Sequence, residues 1–327
     1  MNGVTKAGTR GRPRIGLTLG DPAGIGPEIV AAALHAAPRE WRERIIVYGD
    51  RGPLERAARS LSFELPEVSV IGDGQGDAAT PGTPDVISGG AQVTYLEAAV
   101  AAAVRGELAA IVTAPISKTW ARRAGFEFLG HTEMLAARLG ARDVCMFFVG
   151  PKLKVALTTV HRPLAEVVSD LSTERVRVVI ELVARSLVRD LGVTAPRIGV
   201  VGLNPHAGED GLLGDEDADI IAPALVEPLP PATLLGPLVP DAAFRDAVEG
   251  RYDALIAMYH DQGLIPVKLI DFEDSVNVTL GLPIVRTSPD HGTAYDIAGR
   301  GIARSSSMKR ALALAFEMVA RRAAAVD

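Results

Sequence analysis

Residues 14–37, RIGLTLGDPAGIGPEIVAAALHAA, predict a strand, a loop and a helix in direct succession. The apolar run 14–20 has the length of a short buried strand, and the alanine-rich run 29–37 is typical of a helix. The connecting segment 20–28 holds glycines, which let backbone approach a ligand closely, and it leads into a helix N-terminus, which attracts anions. Its spacing matches neither a G-x-G-x-x-G fingerprint nor a Walker A loop. Ligand binding and a tight turn capped by Asp21 therefore stay open as alternatives.

The same strand and helix order continues along the chain, which indicates an α/β fold with a mostly parallel sheet. In the middle, DVCMFFVG and KLKVALTTV are separated by a Gly-Pro-Lys turn and predict an antiparallel hairpin. A helix starting near Ser172, which could cap it, follows the hairpin. Further strands are predicted at 44–50, 67–73, 108–115, 197–205, 252–259 and 276–288, and further helices at 53–61, 90–107, 241–250 and 306–324.

At 327 residues the chain exceeds the usual size of a single core, so two lobes or one large α/β unit are expected. We predict one lobe from 14–130 with 285–327, a second from 131–284, and a loose tail over 1–13. The hydrophobic fraction of 48% with only 5% aromatic residues suits helices packed on parallel strands.

Charge and hydropathy exclude several functions. The net charge of −6 argues against a nucleic-acid partner, because binding phosphates needs a dense Lys/Arg surface. No apolar run is long enough to cross a membrane, and the basic N-terminus lacks an apolar signal segment. A cytoplasmic protein is expected. The single Cys145 lies in an apolar run and is expected to be a small buried residue rather than a nucleophile.

Three histidines each follow an apolar run that predicts a buried strand: His161, His206 and His260. Open parallel sheets bind ligands beyond the carboxyl ends of their strands, so the three imidazoles could meet in one cleft. Neutral imidazole is a common ligand of divalent transition metals, and three protein ligands leave coordination positions free, as a catalytic ion requires. The alternative is that each histidine only caps a strand or satisfies a loop carbonyl.

Two short segments, TAPISK at 113–118 and GHTEML at 130–135, collect polar side chains able to hold a substrate. His131 and Thr132 are expected at a helix start, whereas Lys118 is expected to be a solvated surface residue or loop anchor. A further segment, YHDQGLIPVK at 259–268, is predicted to be a loop at a strand end.

Within that loop, His260 could bind a metal ion, while Asp261 could orient an imidazole or cap the turn. The segment 276–299 then offers Asn277 and Arg286. Arginine suits two-point recognition of a carboxylate or phosphate, and a structural ion pair is the alternative for Arg286.

Seven motifs, taken together and in this order, resemble the 4-hydroxythreonine-4-phosphate dehydrogenase family from about residue 14 to the C-terminus. They are GDPAGIGPE, TAPISK, GHTE, H-x-PL at 161–164, GLNPHAGE at 202–209, YHDQG, and VNVTLGLPIVRTSPDHGTAYDIAG at 276–299.

The resemblance implies an isocitrate/isopropylmalate-dehydrogenase-like fold, with two lobes around the sheet and a cleft between them. It also implies a homodimer with a shared active site, a nicotinamide cofactor (NAD or NADP) and one divalent metal ion (Zn, Mg, Mn or Co). By position, His161, His206 and His260 resemble the family's metal ligands, contributed across the dimer. Substrate-binding positions correspond to His131, Thr132, Lys268, Asn277 and Arg286. A segment similar to HGSAPDIAG makes His291, Gly292, Thr293, Ala294 and Asp296 the expected cofactor loop.

One pair of adjacent residues departs from the family pattern. Asp274 and Ser275 stand where members that make vitamin B6 usually have Arg-Gly before Val-Asn. An acidic side chain in the pocket would repel a substrate phosphate. The resemblance also includes a branch of the family that acts on other substrates, phosphorylated four-carbon sugar acids and, more distantly, the cis-dihydrodiol of terephthalate, and these stay open as alternatives.

The expected chemistry is oxidation of a secondary alcohol of a small acidic substrate, with hydride passing to NAD(P)⁺ and decarboxylation following where the product is a β-keto acid. Lys268 and Asp261 are the candidate catalytic residues; Lys268 can carry a proton only if its surroundings lower its pKa. Two alternatives of other classes are a metal-dependent hydrolase, in which the same imidazoles activate water, and a non-enzymatic ligand-binding protein.

Overall fold

The computed structural model describes residues 12–325, so the predicted tail at 1–13 lies almost wholly outside the described residues. Eleven strands form one sheet in the order β3-β2-β1-β4-β11-β10-β5-β6-β9-β7-β8. They are β1 Ile15–Thr18, β2 Ile45–Tyr48, β3 Ser69–Ile71, β4 Ala110–Thr113, β5 Cys145–Val149, β6 Lys154–Leu157, β7 Arg197–Val201, β8 Thr233–Leu238, β9 Ala254–Ala257, β10 Val276–Leu280 and β11 Val285–Pro289.

Seven of the ten neighbouring strand pairs are parallel, which confirms the predicted fold class. The exceptions lie together at the centre of the sheet. There β5 runs antiparallel to both β6 and β10, and β10 runs antiparallel to β11. The predicted hairpin is thus confirmed as β5–β6. The strand-like stretch 276–288 is two strands rather than one, because Gly281 turns the chain with a φ of 90°.

Helices cover both faces of the sheet and close the core. Most follow the sequence pattern, and Ser172 caps α8 by accepting a hydrogen bond from the Arg175 amide at 3.1 Å. The helices are α1 Gly26–Ala36, α2 Arg39–Arg42, α3 Arg51–Ser60, α4 Val86–Val104, α5 Lys118–Arg123, α6 His131–Leu139, α7 Leu164–Asp170, α8 Thr173–Arg189, α9 Ala222–Leu225, α10 Pro240–Val248, α11 His260–Ile270 and α12 Ser306–Ala324.

One predicted loop is wrong. The segment carrying His260 and Lys268 is helix α11, despite Gly263 and Pro266 within it. Gly263 packs closely on the sheet, since an added Cβ would lie 2.6 Å from Leu157 Cδ2. Tertiary packing here outweighs the low helix propensity of glycine and proline.

The strand order agrees with the predicted two lobes, which remain a prediction. Strands β1 to β4 and β11 form one half of the sheet, and β5 to β10 form the other. The buried carboxylate of Asp190, at the end of α8, accepts hydrogen bonds at 2.8 and 3.0 Å from Arg322 of α12. It also accepts two from Arg189. This cluster ties a helix of one half to the C-terminal helix of the other.

Replacing Asp190 with alanine is expected to lower the free energy of unfolding by about 2 kcal/mol at neutral pH, because it removes a fully buried carboxylate and leaves the partly buried Arg322 without its anion. Burial by itself raises the pKa of Asp190, but the hydrogen bonds from Arg322 and Arg189 outweigh burial and lower it. The stabilisation is therefore complete above the ordinary aspartate pKa of about 3.9 and disappears as pH falls through the lowered folded-state value.

Urea unfolding of both proteins across pH checks this expectation. Glu107→Ala is the matched control, because Glu107 forms an exposed ion pair with Arg105 that should contribute little. An Asp190→Ala protein as stable as the wild type at pH 7 would contradict the expectation.

Candidate active site

A cleft of about 390 Å³ lies beyond the carboxyl ends of β4, β6, β9 and β11, where open parallel sheets bind their ligands. Its walls contain nine of the residues predicted from sequence to form a site. These are His131, Thr132, His161, His260, Lys268, Asn277, Arg286, His291 and Gly292.

Arg286, on β11, is the central cation of the cleft. It is only 3% exposed, and its guanidinium donates to Thr113 Oγ1 at 2.8 Å and to Thr279 Oγ1 at 3.0 Å. Nε has no hydrogen-bond partner, and within residues 12–325 no carboxylate forms an ion pair with this side chain. Burial lowers the pKa of Arg286 to about 10, an effect that Glu133 opposes. A buried cation held by hydroxyls alone is suited to binding an anion that enters the cleft.

His131 begins helix α6, as predicted, and faces the same cleft. Its Nε2 atom is buried without a hydrogen-bond partner. Burial lowers the pKa of His131 well below its usual range, and the charges of Arg286 and Lys118 lower it further. His131 is therefore neutral near pH 7 and can donate one hydrogen bond to a ligand or accept one from it.

Lys118 is exposed, as expected, but it also lines the cleft. The prediction that Lys118 is only a surface residue or loop anchor is therefore incomplete.

His161 and His260 come together because the chain continues to pair beyond the ends of β6 and β9. The Thr158 and Thr159 amides donate to the carbonyls of Ala257 and Met258 at 2.8 and 3.1 Å. The two imidazole rings lie with centroids 5.9 Å apart.

Each ring of this pair is suited to binding a cation. His260 Nδ1 lies 2.6 Å from Asp261 Oδ1, which leaves Nε2 free. Burial lowers the pKa of His161, which favours its neutral, ligating form.

His206 is placed differently. It does not line the cleft of its own chain, and its Nδ1 lies 3.2 Å from Glu209 Oε2 on an exposed turn. Residues 206–210 all have positive φ between 45° and 82°, an uncommon left-handed turn for a stretch with only one glycine. Within the described residues of one chain, no group of three His, Cys, Asp or Glu side chains is arranged to hold a metal. Within 12–325 of one chain the three predicted histidine ligands therefore do not come together, and the site shared across a dimer stays a prediction.

Lys268 reaches the cleft from α11, where His260, Leu264 and Lys268 share one helix face at four-residue spacing. Its Nζ lies 3.1 Å from Asp290 Oδ2. Asn277, on β10, lines the same wall and has a buried Oδ1 without a hydrogen-bond partner. Asp261 touches His260 but not the cleft, which favours an orienting role over direct contact with substrate.

The predicted cofactor loop lines the cleft only at its start, through His291 and Gly292. Burial lowers the pKa of His291, and its Nε2 is buried and unpartnered. Thr293, Ala294 and Asp296 lie outside the cleft, and the loop runs from there along the turn after β1. Asp21 does cap that turn: its Oδ1 accepts from the Ala23 amide at 2.9 Å.

Asp274 is exposed and does not line the cleft, whereas Ser275 is buried. The expected repulsion of a phosphate therefore finds no support in this arrangement. Sequence reasoning gave no roles to Thr279, Ser288 and Asp290. The sequence could have indicated Thr279, because Asn277 and Thr279 are two residues apart on a predicted strand and so face the same side.

The fold defines a class: α/β proteins with the isocitrate dehydrogenase type of fold, in which one large, mostly parallel sheet carries a cleft beyond its strand ends. The isocitrate dehydrogenase from Methylococcus capsulatus has a TM-score of 0.50 at 18% identity, covering 96% of this chain and 88% of that one, which shows the fold alone.

The chain belongs to the PdxA family: the model of "Pyridoxal phosphate biosynthetic protein PdxA" matches residues 40–315. A relative from Desulfosudis oleivorans named 4-hydroxythreonine-4-phosphate dehydrogenase is 44% identical over 94% of this chain and 97% of its own length. The 4-hydroxythreonine-4-phosphate dehydrogenase structure from Klebsiella pneumoniae has a TM-score of 0.82 at 39% identity, covering 94% and 98% of the two chains. The terephthalate 1,2-cis-dihydrodiol dehydrogenase from Burkholderia xenovorans has a TM-score of 0.65 at 29% identity, covering 93% and 98%. No helix in the described part of the chain is both long and apolar enough to cross a membrane.

Proposed function

We propose that this protein is a metal-dependent, NAD(P)-linked dehydrogenase that oxidises the secondary alcohol of 4-phosphohydroxy-L-threonine. The observation that carries the proposal is the buried, unpaired Arg286 facing a cleft that also holds the His161–His260 pair. Relatives at 44% identity carry the name of this activity. The dihydrodiol dehydrogenase is less similar, at 29% identity, and so supports its substrate less strongly. None of these relatives is named as a hydrolase.

The donor set fits a divalent metal ion. His161 and His260 offer imidazole nitrogens in the cleft, Asp261 orients one of them, and His206 of a second copy would complete the set. When bound, the metal ion polarises the substrate hydroxyl and the nicotinamide ring accepts hydride. These ligands are compatible with Zn²⁺, Co²⁺ or Mn²⁺, since imidazole binds each of them.

The chain's own residues position the substrate. Arg286 would bind the phosphate, supported by the neutral His131 and by Thr132 at the start of α6. Asn277 would hold a second polar group of the substrate. Lys268 is fixed by Asp290 and is placed to transfer a proton or balance charge at Nζ. The oxidised product carries its carboxylate β to the new ketone, so carbon dioxide loss can follow.

Reduction of NAD⁺ and NADP⁺, measured by nicotinamide absorbance, tests the proposal. We expect turnover with 4-phosphohydroxy-L-threonine that stops on chelation and returns when a divalent metal is added. The panel includes phosphorylated erythronate and threonate and the cis-dihydrodiol of terephthalate. Turnover of the dihydrodiol but of no phosphorylated compound would overturn the substrate assignment. If none of the compounds reduces NAD⁺ or NADP⁺, the assignment as a dehydrogenase is overturned.

A further inference from the structure

Tyr295 is hydrogen-bonded to Asp21, a buried carboxylate in the turn between β1 and α1. Tyr295 Oη donates to Asp21 Oδ2 at 2.6 Å, and Asp21 is 0% exposed. The other oxygen, Oδ1, accepts from the Ala23 amide at 2.9 Å, and the Asp21 amide donates to the Pro115 carbonyl at 3.0 Å. Asp21 therefore connects three segments: its own turn, the loop after β4 that lines the cleft, and the segment that carries Tyr295.

The segment 291–296 lies directly against this turn. The Ile25 amide, at the start of α1, donates to the Thr293 carbonyl at 2.9 Å. The approach is so close that a Cβ on Gly24 would lie 2.9 Å from that carbonyl oxygen. Ala294 has a φ of +42°, a left-handed conformation that alanine rarely adopts. A strained residue of this kind persists only where its surroundings hold it, and the contacts to the turn provide that restraint.

We propose that the Tyr295–Asp21 hydrogen bond positions the cofactor segment, so that Tyr295 is a positioning residue for dinucleotide binding. The inference rests on the proposed function and on the expectation, from the family resemblance, that 291–296 forms the cofactor loop. His291 and Gly292 reach the cleft while Tyr295 is anchored away from it. The bond thus holds the far end of a segment whose near end lines the cleft. Ordering the segment before binding removes an entropic cost from dinucleotide association.

A variant that lacks only the phenol oxygen tests the Tyr295–Asp21 hydrogen bond separately from the packing of the ring. Tyr295→Phe keeps the ring but leaves Asp21 Oδ2 buried without its donor, which costs more than the loss of an exposed hydrogen bond. The segment then relaxes from the turn, and the strained conformation at Ala294 loses its support. We expect dinucleotide affinity to fall by about 10-fold, while metal affinity and the KM for the hydroxy acid stay within about two-fold.

The experiment uses the full-length protein and measures NAD⁺ and NADP⁺ binding by titration calorimetry, without turnover. Backbone amide exchange of 293–297 is followed in the absence of any ligand. Tyr252→Phe is the matched control, since it makes the same chemical change in the other half of the sheet. The Asp21→Asn/Tyr295→Phe double variant removes the unpaired buried charge, and so keeps the test valid if Tyr295→Phe alone unfolds.

Weaker dinucleotide binding with faster exchange at 293–297, and wild-type behaviour of Tyr252→Phe, would support the inference. In the double-variant cycle, the effect of Tyr295→Phe should shrink once Asp21 is asparagine. Wild-type affinity and exchange in Tyr295→Phe would overturn the positioning role while leaving the proposed dehydrogenase intact. A wild-type protein that binds neither dinucleotide would overturn the proposed function and this inference together.

Discussion

Replacing Arg286 with methionine is expected to raise the KM for 4-phosphohydroxy-L-threonine by about 100-fold or more while leaving dinucleotide affinity nearly unchanged. A charged hydrogen bond to a phosphate in a desolvated site contributes about 3 kcal/mol, which corresponds to a factor of about 100. Arg286 is the only cationic side chain of the cleft that is buried among the described residues, because Lys118 and Lys268 both reach solvent. Neither lysine can replace it at the same position.

The same substitution should not destabilise the fold. In the free protein, Arg286 is a buried cation held by two threonine hydroxyls, and such a group costs free energy relative to an apolar side chain of similar volume. Arg286→Met is therefore expected to unfold at the wild-type temperature or above it. Loss of substrate binding with retained stability separates a ligand-binding role from a structural one.

Two measurements check this pair of expectations: initial rates over a range of substrate concentrations, and thermal unfolding without ligand. Arg286→Lys is the graded control, because it keeps the charge but cannot make the same two-point contact. It should fall between the wild type and Arg286→Met. A methionine variant with a wild-type KM would show that the phosphate binds elsewhere, and one that unfolds much earlier would show that Arg286 is structural.

Much of this site was predictable because it depends on strand ends. His161 and His260 were placed in one cleft from the apolar runs that precede them, and β6 and β9 are indeed neighbours in the sheet. Arg286 and Asn277 were likewise expected from the residue types that bind anions. The histidine predictions need only the rule that parallel strands end at the same edge. That rule fails for His206, which follows β7 but lies outside the cleft. Asn277 and Arg286 lie near the starts of β10 and β11, so strand ends do not account for them.

What the sequence did not reveal depends on contacts between distant segments. Helix α11 contains Gly263 and Pro266, which locally favour a loop, and the helix packs on the sheet where Gly263 closely approaches Leu157. The helical period then explains why Lys268 faces the cleft with His260, which a loop prediction could not. The left-handed turn at 206–210 has no periodic signal, and only one of its residues is glycine. The anchoring of Tyr295 on Asp21 has no such signal either, because it joins residues 274 positions apart.

Mixing two inactive variants, His206→Ala and His260→Ala, is expected to restore activity if the metal site is shared between two copies of the chain. Each variant alone lacks one ligand in both sites of its homodimer. In a mixed dimer, the cleft of the His206→Ala chain keeps its own His161 and His260 and receives an intact His206 from the other chain. The second cleft lacks two ligands. One site of two is therefore complete.

Random re-association makes about half of all dimers mixed, and each carries one working site, so the mixture should reach about a quarter of the wild-type activity. The variants are unfolded together, refolded and assayed for nicotinamide reduction and for bound metal. His35→Ala mixed with His260→Ala is the control, because His35 lies on α1, away from the cleft, and stacks on Phe63. The control variants also form mixed dimers, but the His35→Ala homodimers are active before mixing. The activity of the control mixture is therefore set only by the fraction of chains that keep His260.

The result distinguishes a metal site shared between two chains from a metal site formed within a single chain. If His206 served its own cleft, both sites of every mixed dimer would lack one ligand, and mixing would restore nothing. The position of His206 outside its own cleft, on an exposed turn held in a left-handed conformation, favours the shared arrangement. Strained left-handed residues of this kind cluster at active and binding sites. Absence of restored activity, with mixed dimers shown to form, would assign the third metal ligand to another residue.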